Sequence, residues 1–326
     1  MRRLNNNFFI LALLVAFLDG CVPNAPHDNP IDPGSPNPKT DGALKGSVLS
    51  LGLPYSGIPN ALVVIEQNGS AQYTATDGSF SFSNAPPGNI TLVITKALYM
   101  NDTVRIYLPV GGNLDTLIHI DALPQINNAQ VVTSKIDQWL PGVVYSAVVS
   151  ASITDLDGFQ DVDTVYVRVD SLTFGMNYIG GNNYQVNINA DSLPNQDIQW
   201  LVGKQFIIFA IDHENGTGQS AGFYVTRIIE AEANPTSPIS LDATTSYPQF
   251  NWSPPTVSFD YNYQLQIYQV NSGTQTPVGS PISISSDSIS YNDPDSLAVG
   301  QYSWTLTIID NFDNSSTAKE QSFEVQ

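Results

Sequence analysis

From Leu44 onward, apolar residues recur at every second position in short runs, and this alternation restricts the chain to β-structure. The longest run places one set of residues on a single face, with serines on the other: Val143, Tyr145, Ala147, Val149, Ala151 and Ile153. Period two is the repeat of a strand, whereas a helix repeats every 3.6 residues or so. Gly, Pro, Asn and Asp, which favour turns, separate the runs. The sequence therefore predicts an all-β chain.

Charge and length narrow the class of protein further. The 326 residues carry a formal net charge of −19, and the acidity comes mostly from Asp, with only six Glu. Such a surface repels phosphate backbones and anionic lipid heads, so we expect no nucleic-acid partner. The length is sufficient for two or three domains of about 100 residues each.

The first twenty residues have the pattern of a secretion signal. Arg2 and Arg3 precede the apolar run of residues 8–18, which is too short to span a bilayer as a stable helix. Cys21 is the only cysteine, so the chain has no intramolecular disulfide. The run Leu18-Asp19-Gly20-Cys21 resembles the lipobox of bacterial lipoproteins, which implies cleavage after Gly20 and acylation of Cys21. The alternative is an ordinary signal peptide that ends near a cysteine.

The lipoprotein resemblance implies a location in the cell envelope. Val22, rather than Asp, follows the cysteine, which implies the outer membrane of a Gram-negative-type bacterium. Cleavage would remove Arg2, Arg3 and Asp19 and change the net charge from −19 to −20. Residues 22–41 contain six prolines and almost no apolar residue. We expect an extended spacer there, which at about 3.1 Å per residue would reach roughly 60 Å from the lipid.

Residues 42–123 carry the motifs of a first domain. Gly46-x-Val48, Thr76-Asp77-Gly78-x-Phe80 and Pro87-Gly88 closely resemble the carboxypeptidase regulatory-like domain. This resemblance implies a transthyretin-like β-sandwich of about seven strands that serves as a non-catalytic accessory module. Asp77-Gly78 between two alternating runs predicts a hairpin. Ile90, Leu92 and Ile94 are predicted to share one inward face.

Two further sandwiches are predicted beyond the first domain. Residues 124–230 resemble a bacterial immunoglobulin-like domain, and residues 231–326 resemble a fibronectin type III domain. In the latter, Trp252 stands where such domains place a core tryptophan and Tyr302 where they place the tyrosine corner. Residues 210–216 and 308–314 also align, which predicts a shared topology. With residues 1–20 as signal peptide and 21–41 as acylated cysteine and linker, the prediction is three serial β-sandwich domains on a Pro-rich, lipid-anchored spacer.

Two tryptophans of the second domain stand in similar loops. Gln138-Trp139-Leu140-Pro141-Gly142 and Gln199-Trp200-Leu201-Val202-Gly203 each precede a predicted strand. If these strands are B and F, both loops lie at the same end of the sandwich. One interpretation is that Trp139 and Trp200 cap the hydrophobic core, which is the outcome we expect. The other is an aromatic platform that binds a sugar or a peptide.

Acidic residues concentrate in two other loops of the same domain. Asp155, Asp157, Asp161 and Asp163 lie between strands B and C, and Asp212 and Glu214 lie in the F to G turn. These loops share one end of an immunoglobulin-like sandwich, so Asp155, Asp157 and Asp161 could bind a divalent cation together with Asp212 and Glu214, and calcium suits such oxygen ligands best. The alternative is ordinary turns in which Asp hydrogen-bonds its own backbone.

No pattern in the sequence points to catalysis. His27, His119 and His213 lack partners at metal-binding spacing, and no nucleophile elbow, P-loop or dinucleotide-binding motif occurs. We therefore expect no enzyme, but a cell-envelope lipoprotein that displays β-sandwich binding or structural modules away from the membrane. The alternatives are a glycan-binding lipoprotein of a polysaccharide uptake system and a subunit of an envelope or secretion complex. The expected partners are the membrane, through the lipid, and a glycan or protein at the cell surface.

Overall fold

The computed structural model describes Asp32, residues 34–36 and residues 40–326. The predicted signal peptide, the predicted acylation site Cys21 and most of the Pro-rich segment lie outside these residues. No helix in the described part of the chain is both long enough and apolar enough to cross a membrane. The regular structure of this part consists of strands and four short 3₁₀ turns, so the protein is all-β, as predicted.

Twenty-four strands follow one another along the described residues. They are β1 (Gly42–Ser50), β2 (Leu62–Ile65), β3 (Ser70–Tyr73), β4 (Ser79–Ala85), β5 (Gly88–Thr95), β6 (Asp102–Leu108), β7 (Asn113–Ile120), β8 (Gln125–Ile136), β9 (Val144–Thr154), β10 (Val162–Val169), β11 (Leu172–Gly175), β12 (Asn177–Gly180), β13 (Asn183–Asn189), β14 (Phe206–Asp212), β15 (Thr217–Gln219), β16 (Asn234–Ser237), β17 (Asp242–Thr244), β18 (Gln249–Ser253), β19 (Tyr261–Asn271), β20 (Thr274–Ser285), β21 (Ser290–Asn292), β22 (Gly300–Asp310), β23 (Ser315–Thr317) and β24 (Gln321–Val325). The 3₁₀ turns are Phe159–Asp161, Ala190–Ser192, Pro194–Gln196 and Ile198–Leu201.

The chain forms two compact units. The first unit runs to Ala97 and resumes with Asn101–Ile120. The second unit consists of Leu98–Met100 and Asp121–Gln326, so it contains both the second and the third predicted domain.

The first unit is a sandwich of two sheets. One sheet has the order β4-β1-β7, in which β1 pairs with β4 antiparallel and with β7 in parallel. The other has the order β3-β2-β5-β6. Alternate residues of both sheets are buried, among them Leu44 and Val48 of β1. Ile90, Leu92 and Ile94 of β5 are all buried, which confirms the predicted inward face.

The prediction of a β-hairpin at Asp77-Gly78 is wrong. A turn does form there, and Asp77 Oδ1 accepts a hydrogen bond from Ser79 N at 3.0 Å. The flanking strands β3 and β4, however, belong to different sheets. Just before the turn, the buried Thr74 hydroxyl donates to the Ile58 carbonyl at 2.6 Å and accepts from Ala61 N at 2.8 Å. Because Thr74 is held there, the chain crosses between the sheets instead of folding back on β3.

The second sandwich, in the second unit, also has two sheets. The strands β12-β13-β9-β8 form one, and β11-β10-β14-β15 form the other. The predicted inward face of β9 is buried from Ala147 to Ile153 at every second residue. Val143 precedes the strand and is exposed, so the buried face is shorter than predicted.

The third sandwich pairs β16-β18-β21 against a sheet that contains β20-β19-β22 with β24. Its core contains Phe250, Trp252 and Trp304, and the Trp304 Nε1 donates to the Pro238 carbonyl at 2.8 Å. The Tyr302 hydroxyl donates to the Ala298 carbonyl at 2.9 Å. This hydrogen bond to backbone a few residues upstream confirms the predicted tyrosine corner.

The second and third sandwiches share one continuous sheet. Strand β23 pairs in parallel with β8, with Ser315 opposite Ser134 and Thr317 opposite Ile136, and the combined sheet has ten strands. Next to this ladder, the buried Lys135 donates from Nζ to the Glu230 carbonyl at 2.6 Å and to Glu232 Oε1 at 2.5 Å. Backbone hydrogen bonds and a buried charge therefore join the two sandwiches.

Candidate metal centre

Two loops bring five of the predicted carboxylates to one end of the second sandwich. Asp155, Asp157 and Asp161 lie in the connection from β9 to β10. Asp212 ends β14, and Glu214 lies in the following turn. Strands β10 and β14 are antiparallel neighbours, and Val162 at the start of β10 is paired with Asp212. The sheet register therefore places the acidic end of one strand beside the acidic start of the other.

A sixth carboxylate, Asp121, joins this group and was missed from the sequence. It lies in the segment that leads into β8, and the next residue, Ala122, donates its backbone N–H to Asp157 Oδ2 at 2.7 Å. The sequence prediction placed Asp121 in the domain of residues 42–123, away from the loops of the second domain. Its position just before Pro124, where the second domain was predicted to begin, was the one available signal.

Within these six residues, which we call the acidic centre, carboxylate oxygens from three residues at a time lie within the span of one cation. Three sets of carboxylate oxygens each lie within 4.8 Å of one another: Asp121 with Asp212 and Glu214, Asp121 with Asp157 and Asp161, and Asp155 with Asp161 and Asp212. Calcium binds oxygens at about 2.3–2.6 Å, so two oxygens on one ion lie at most about 5 Å apart. The sets share Asp121, Asp161 and Asp212, so the six carboxylates form one continuous cluster.

Turn hydrogen bonds occupy only part of these carboxylates. Asp155 Oδ1 accepts from Asp157 N at 2.8 Å, and Asp212 Oδ1 accepts from Gly216 N at 2.6 Å and from Glu214 N at 3.1 Å. Five further oxygens of the acidic centre, namely Oδ2 of Asp155, Asp161 and Asp212 and both oxygens of Asp121, are buried without a hydrogen-bond partner. Only 2% of Asp212 and 9% of Asp121 is exposed. The turn interpretation thus accounts for one oxygen of Asp155 and of Asp212, and for neither oxygen of Asp121.

Burial and mutual repulsion make the charged forms of these groups costly. Burial, followed by the charges of Asp212 and Asp161, raises the pKa of Asp121 to about 7. Burial is also the main reason that the pKa of Asp155 and that of Asp161 rise to about 6 and that the pKa of Asp212 is raised. Desolvation disfavours a carboxylate unless a positive charge compensates it. Among the described residues, no Lys or Arg forms a salt bridge with Asp121 or Asp212.

His213 is the one basic side chain that borders the acidic centre in the described part of the chain. Its Nδ1 donates to the Asp161 carbonyl at 2.7 Å and lies 3.9 Å from Asp161 Oδ1. The hydrogen bond to that carbonyl, with the nearby acids, raises the pKa of His213. The ring is exposed and its bonded nitrogen faces a backbone oxygen, so His213 leaves the buried oxygens of Asp121 and Asp212 without a partner.

The two tryptophans lie at the same end of the sandwich but in different environments. Gln199, beside Trp200, and Tyr145, which follows the Trp139 loop, both hydrogen-bond the carboxylate of Glu230. Trp200 is half-buried and packs against the core. Trp139 is 71% exposed, so the expectation that both rings cap the core is wrong for Trp139.

The ring of Trp139 lies against the outer surface of the third sandwich and not in a core. Its Nε1 donates to the Glu320 carbonyl at 3.2 Å, and Lys319 Nζ lies 4.7 Å from the ring centroid. The Trp200 ring carries a similar contact with Lys204 Nζ at 5.0 Å. Within the described residues the two indoles make no ring contact with each other, so they do not form a single paired platform.

Comparisons with known proteins found similarity only to solved structures. No protein-family model matches the chain, and no curated protein is significantly similar to it. The FN1–FN3 domains of chicken CNTN1 are 10% identical, with a TM-score of 0.34, over 88% of this chain and 95% of that one. The major pilin subunit of Bacillus cereus is 11% identical, with a TM-score of 0.30, over 87% and 93%. A DUF3823 family protein from Bacteroides ovatus is 14% identical, with a TM-score of 0.25, over 56% and 97%.

Proposed function

We propose that the protein is a non-catalytic lipoprotein of the cell envelope that displays β-sandwich modules away from the membrane. In this proposal a lipid on Cys21 anchors the chain in the outer membrane, and the Pro-rich segment of residues 21–41 is the spacer. The sandwiches beyond the spacer act as a structural arm or a binding surface. The chain's lone cysteine, its Pro-rich spacer and its β-sandwich modules all support this assignment.

The observation that carries the proposal is the joint between the second and third sandwiches. An arm that presents a surface at a distance must resist bending where its domains meet. The ladder between β8 and β23 and the buried contacts of Lys135 give this joint the hydrogen bonding of a domain interior. Ordinary inter-domain interfaces within a chain resemble transient protein–protein interfaces and permit relative motion of the domains. A joint of this kind favours a structural role over a flexible string of modules.

Replacement of Cys21 tests the proposal directly. The wild-type chain should incorporate labelled palmitate and fractionate with membranes, whereas Cys21→Ser should accumulate as an unlabelled, uncleaved precursor. Asn24→Ser, in the spacer three residues further on, is the matched control and should behave as wild type. Normal processing and membrane retention of Cys21→Ser would contradict the proposal.

Glycan binding is the second candidate function, and the exposure of Trp139 favours it. Trp139 and the neighbouring Leu140 are 71% and 87% exposed, and exposed aromatic rings are suited to stack on sugars. Affinity electrophoresis in gels that contain soluble starch, xylan or pectin tests this candidate. Retardation of the wild-type chain that Trp139→Ala abolishes would support it. Equal mobility of both chains in every gel would contradict glycan binding. The exposed Trp139 and Leu140 would then be a candidate surface for a protein partner.

A further inference from the structure

We propose that Asp121, Asp155, Asp157, Asp161, Asp212 and Glu214 form a calcium site that completes the second sandwich. Acidity alone does not indicate an ion, because exposed acidic groups often occur without one. Two features of the molecule do: the buried, unpartnered oxygens of Asp121 and Asp212, and the equivalent turn of the third sandwich, in which a guanidinium faces the corresponding oxygen.

The turn after β22 in the third sandwich repeats the turn after β14 in the second. In the second, Asp212 N donates to the Gly216 carbonyl at 3.1 Å, and Asp212 Oδ1 accepts from Gly216 N. In the third, Asp310 N donates to the Asn314 carbonyl at 3.0 Å, and Asp310 Oδ1 accepts from Asn314 N at 3.0 Å. The residue two positions after each Asp also donates to its Oδ1. Asp212 and Asp310 are therefore equivalent buried aspartates.

The two aspartates differ in what faces their second oxygen. Asp310 Oδ2 accepts hydrogen bonds from the guanidinium of Arg227 and from the Asn314 amide, the latter at 3.1 Å. Asp212 Oδ2 has no such donor. Arg227 lies in the segment that enters the third sandwich before β16, and Asp121 lies in the segment that enters the second before β8. In the third sandwich, the entering segment supplies the guanidinium of Arg227. In the second sandwich, the corresponding segment supplies the carboxylate of Asp121 instead.

Gly216 leaves space where the third sandwich has a side chain. A Cβ added to Gly216 would lie 2.3 Å from Asp212 Oδ2 and 2.9 Å from Asp121 Oδ2. Asn314, at the equivalent position, uses its amide to donate to Asp310. Since Gly216 has no side chain, Oδ2 of Asp212 and Oδ2 of Asp121 both approach its backbone, with no side-chain donor between them. A cation bound to these oxygens would supply the positive charge that Arg227 supplies to Asp310.

The donor set favours calcium among biological cations. All the grouped atoms are carboxylate oxygens, and no nitrogen or sulfur belongs to the three sets found in the described residues. Hard oxygen ligands suit calcium and magnesium, whereas zinc and copper favour imidazole or thiolate. Calcium accepts six to eight oxygens in flexible geometry, while magnesium demands a near-ideal octahedron and retains several waters. Six clustered carboxylates on irregular loops match calcium better.

Calcium titration of the full chain tests the proposal. Protein stripped with EDTA is titrated with calcium chloride by calorimetry and melted with and without calcium, with magnesium chloride as the competing probe. The variant is Asp121→Asn, because Asp121 accepts no hydrogen bond that the amide would disturb. Asp163→Asn is the matched control, since Asp163 lies two residues after Asp161 at the start of β10, is exposed and belongs to none of the three oxygen sets.

The expected result has two signatures. Wild type and Asp163→Asn bind calcium and melt about 5–10 °C higher when free calcium is about a hundredfold above the dissociation constant. Asp121→Asn loses this response, and without calcium it melts at or above the wild-type temperature, because an unpartnered buried charge has been removed. If Asp121→Asn does not fold, Asp212→Asn replaces it, since its amide oxygen can keep the Oδ1 hydrogen bonds.

Three results would overturn the proposal. The first is a wild-type chain that shows neither heat nor a melting shift at millimolar calcium. The second is an Asp121→Asn or Asp212→Asn chain that responds to calcium as wild type does. The third is tighter binding of magnesium than of calcium, which would contradict the assignment of the ion.

Discussion

Arg227 donates a hydrogen bond to Asp310, whose side chain is completely buried at the joint between the second and third sandwiches. The same guanidinium lies 4.0 Å from the centroid of the Phe259 ring. Asn314, which also donates to Asp310, accepts a hydrogen bond from the backbone N–H of Thr133 at 2.9 Å. One ion pair therefore stabilises the third sandwich and its contact with the second.

Removal of the arginine should destabilise the second unit severely. Arg227→Met leaves the Asp310 carboxylate buried without its cation, and breaking such a pair costs about 3–5 kcal/mol. Urea unfolding of the full chain measures the loss. The double variant Arg227→Met/Asp310→Asn removes both charges and should recover part of this loss, so a double variant no more stable than Arg227→Met would contradict the charge argument.

The calcium-free protein should lose stability as pH rises. The raised pKa of Asp121, about 7, and of Asp155, about 6, mean that the folded protein binds more protons than the unfolded chain above their ordinary pKa of 3.8. The free energy of unfolding contributed by these groups is complete below that value and declines as pH rises through about 6–7. The carboxylates of Asp157, Asp161, Asp212 and Glu214 and the imidazole of His213 are the other ionisable groups beside them.

Melting curves in EDTA from pH 5 to pH 8 check this prediction. The difference between wild type and Asp121→Asn isolates the contribution of Asp121, because the other carboxylates are common to both chains. We expect wild type to lose stability relative to the variant as pH rises, and calcium to restore it at pH 8. A constant difference across this range would show that Asp121 does not titrate as predicted.

The two tryptophans should respond in opposite ways to truncation. Trp200→Ala removes a ring that packs against the core and should cost about 3 kcal/mol, the lower end of the range for such changes. Trp139→Ala removes a largely exposed ring and should cost under about 1 kcal/mol, although it deletes the hydrogen bond to Glu320. Chemical denaturation gives both values. Equal losses would show that the environments of the two rings do not differ as described.

Gly216→Ala should weaken calcium binding by at least tenfold. The added methyl group would overlap Asp212 Oδ2 and press on Asp121 Oδ2, and displacement of either ligand by about 1 Å disrupts a calcium–oxygen distance of about 2.4 Å. Calorimetry measures the affinity. Gly175→Ala is the control, because a Cβ there would meet no atom within 4 Å. Unchanged affinity of Gly216→Ala would place the ion elsewhere.

Sequence alone predicted the features that depend on local pattern. The buried faces of β5 and β9, the core position of Trp252 and the tyrosine corner at Tyr302 follow from alternation and from fixed spacing within one sandwich. The convergence of the loops after β9 and β14 followed from the expected strand order. The equivalence of the turns at Asp212 and Asp310 was also apparent as a sequence alignment.

Features that depend on the path of the chain were not predictable in this way. A turn at Asp77-Gly78 can be recognised locally, but which sheet receives the next strand depends on distant contacts such as that of Thr74 with Ile58. Asp121 was missed because its side chain serves a sandwich that begins after it. The similar sequences around Trp139 and Trp200 hid a difference: Trp200 lies in the 3₁₀ turn Ile198–Leu201, whose end residues are buried, whereas Trp139 contacts the third sandwich.

The ladder between β8 and β23 also sets an order of events during synthesis. Thr133 and Asn314, hydrogen-bonded beside the ladder, are 181 residues apart in sequence. Strand β8 therefore emerges long before its partner, and its outer edge stays open while the third sandwich is still being made. Open edges recruit other strands, and such intermediates aggregate. A chaperone that shields β8 during this interval would protect the protein, and a nascent chain stalled before residue 315 would be its most vulnerable form.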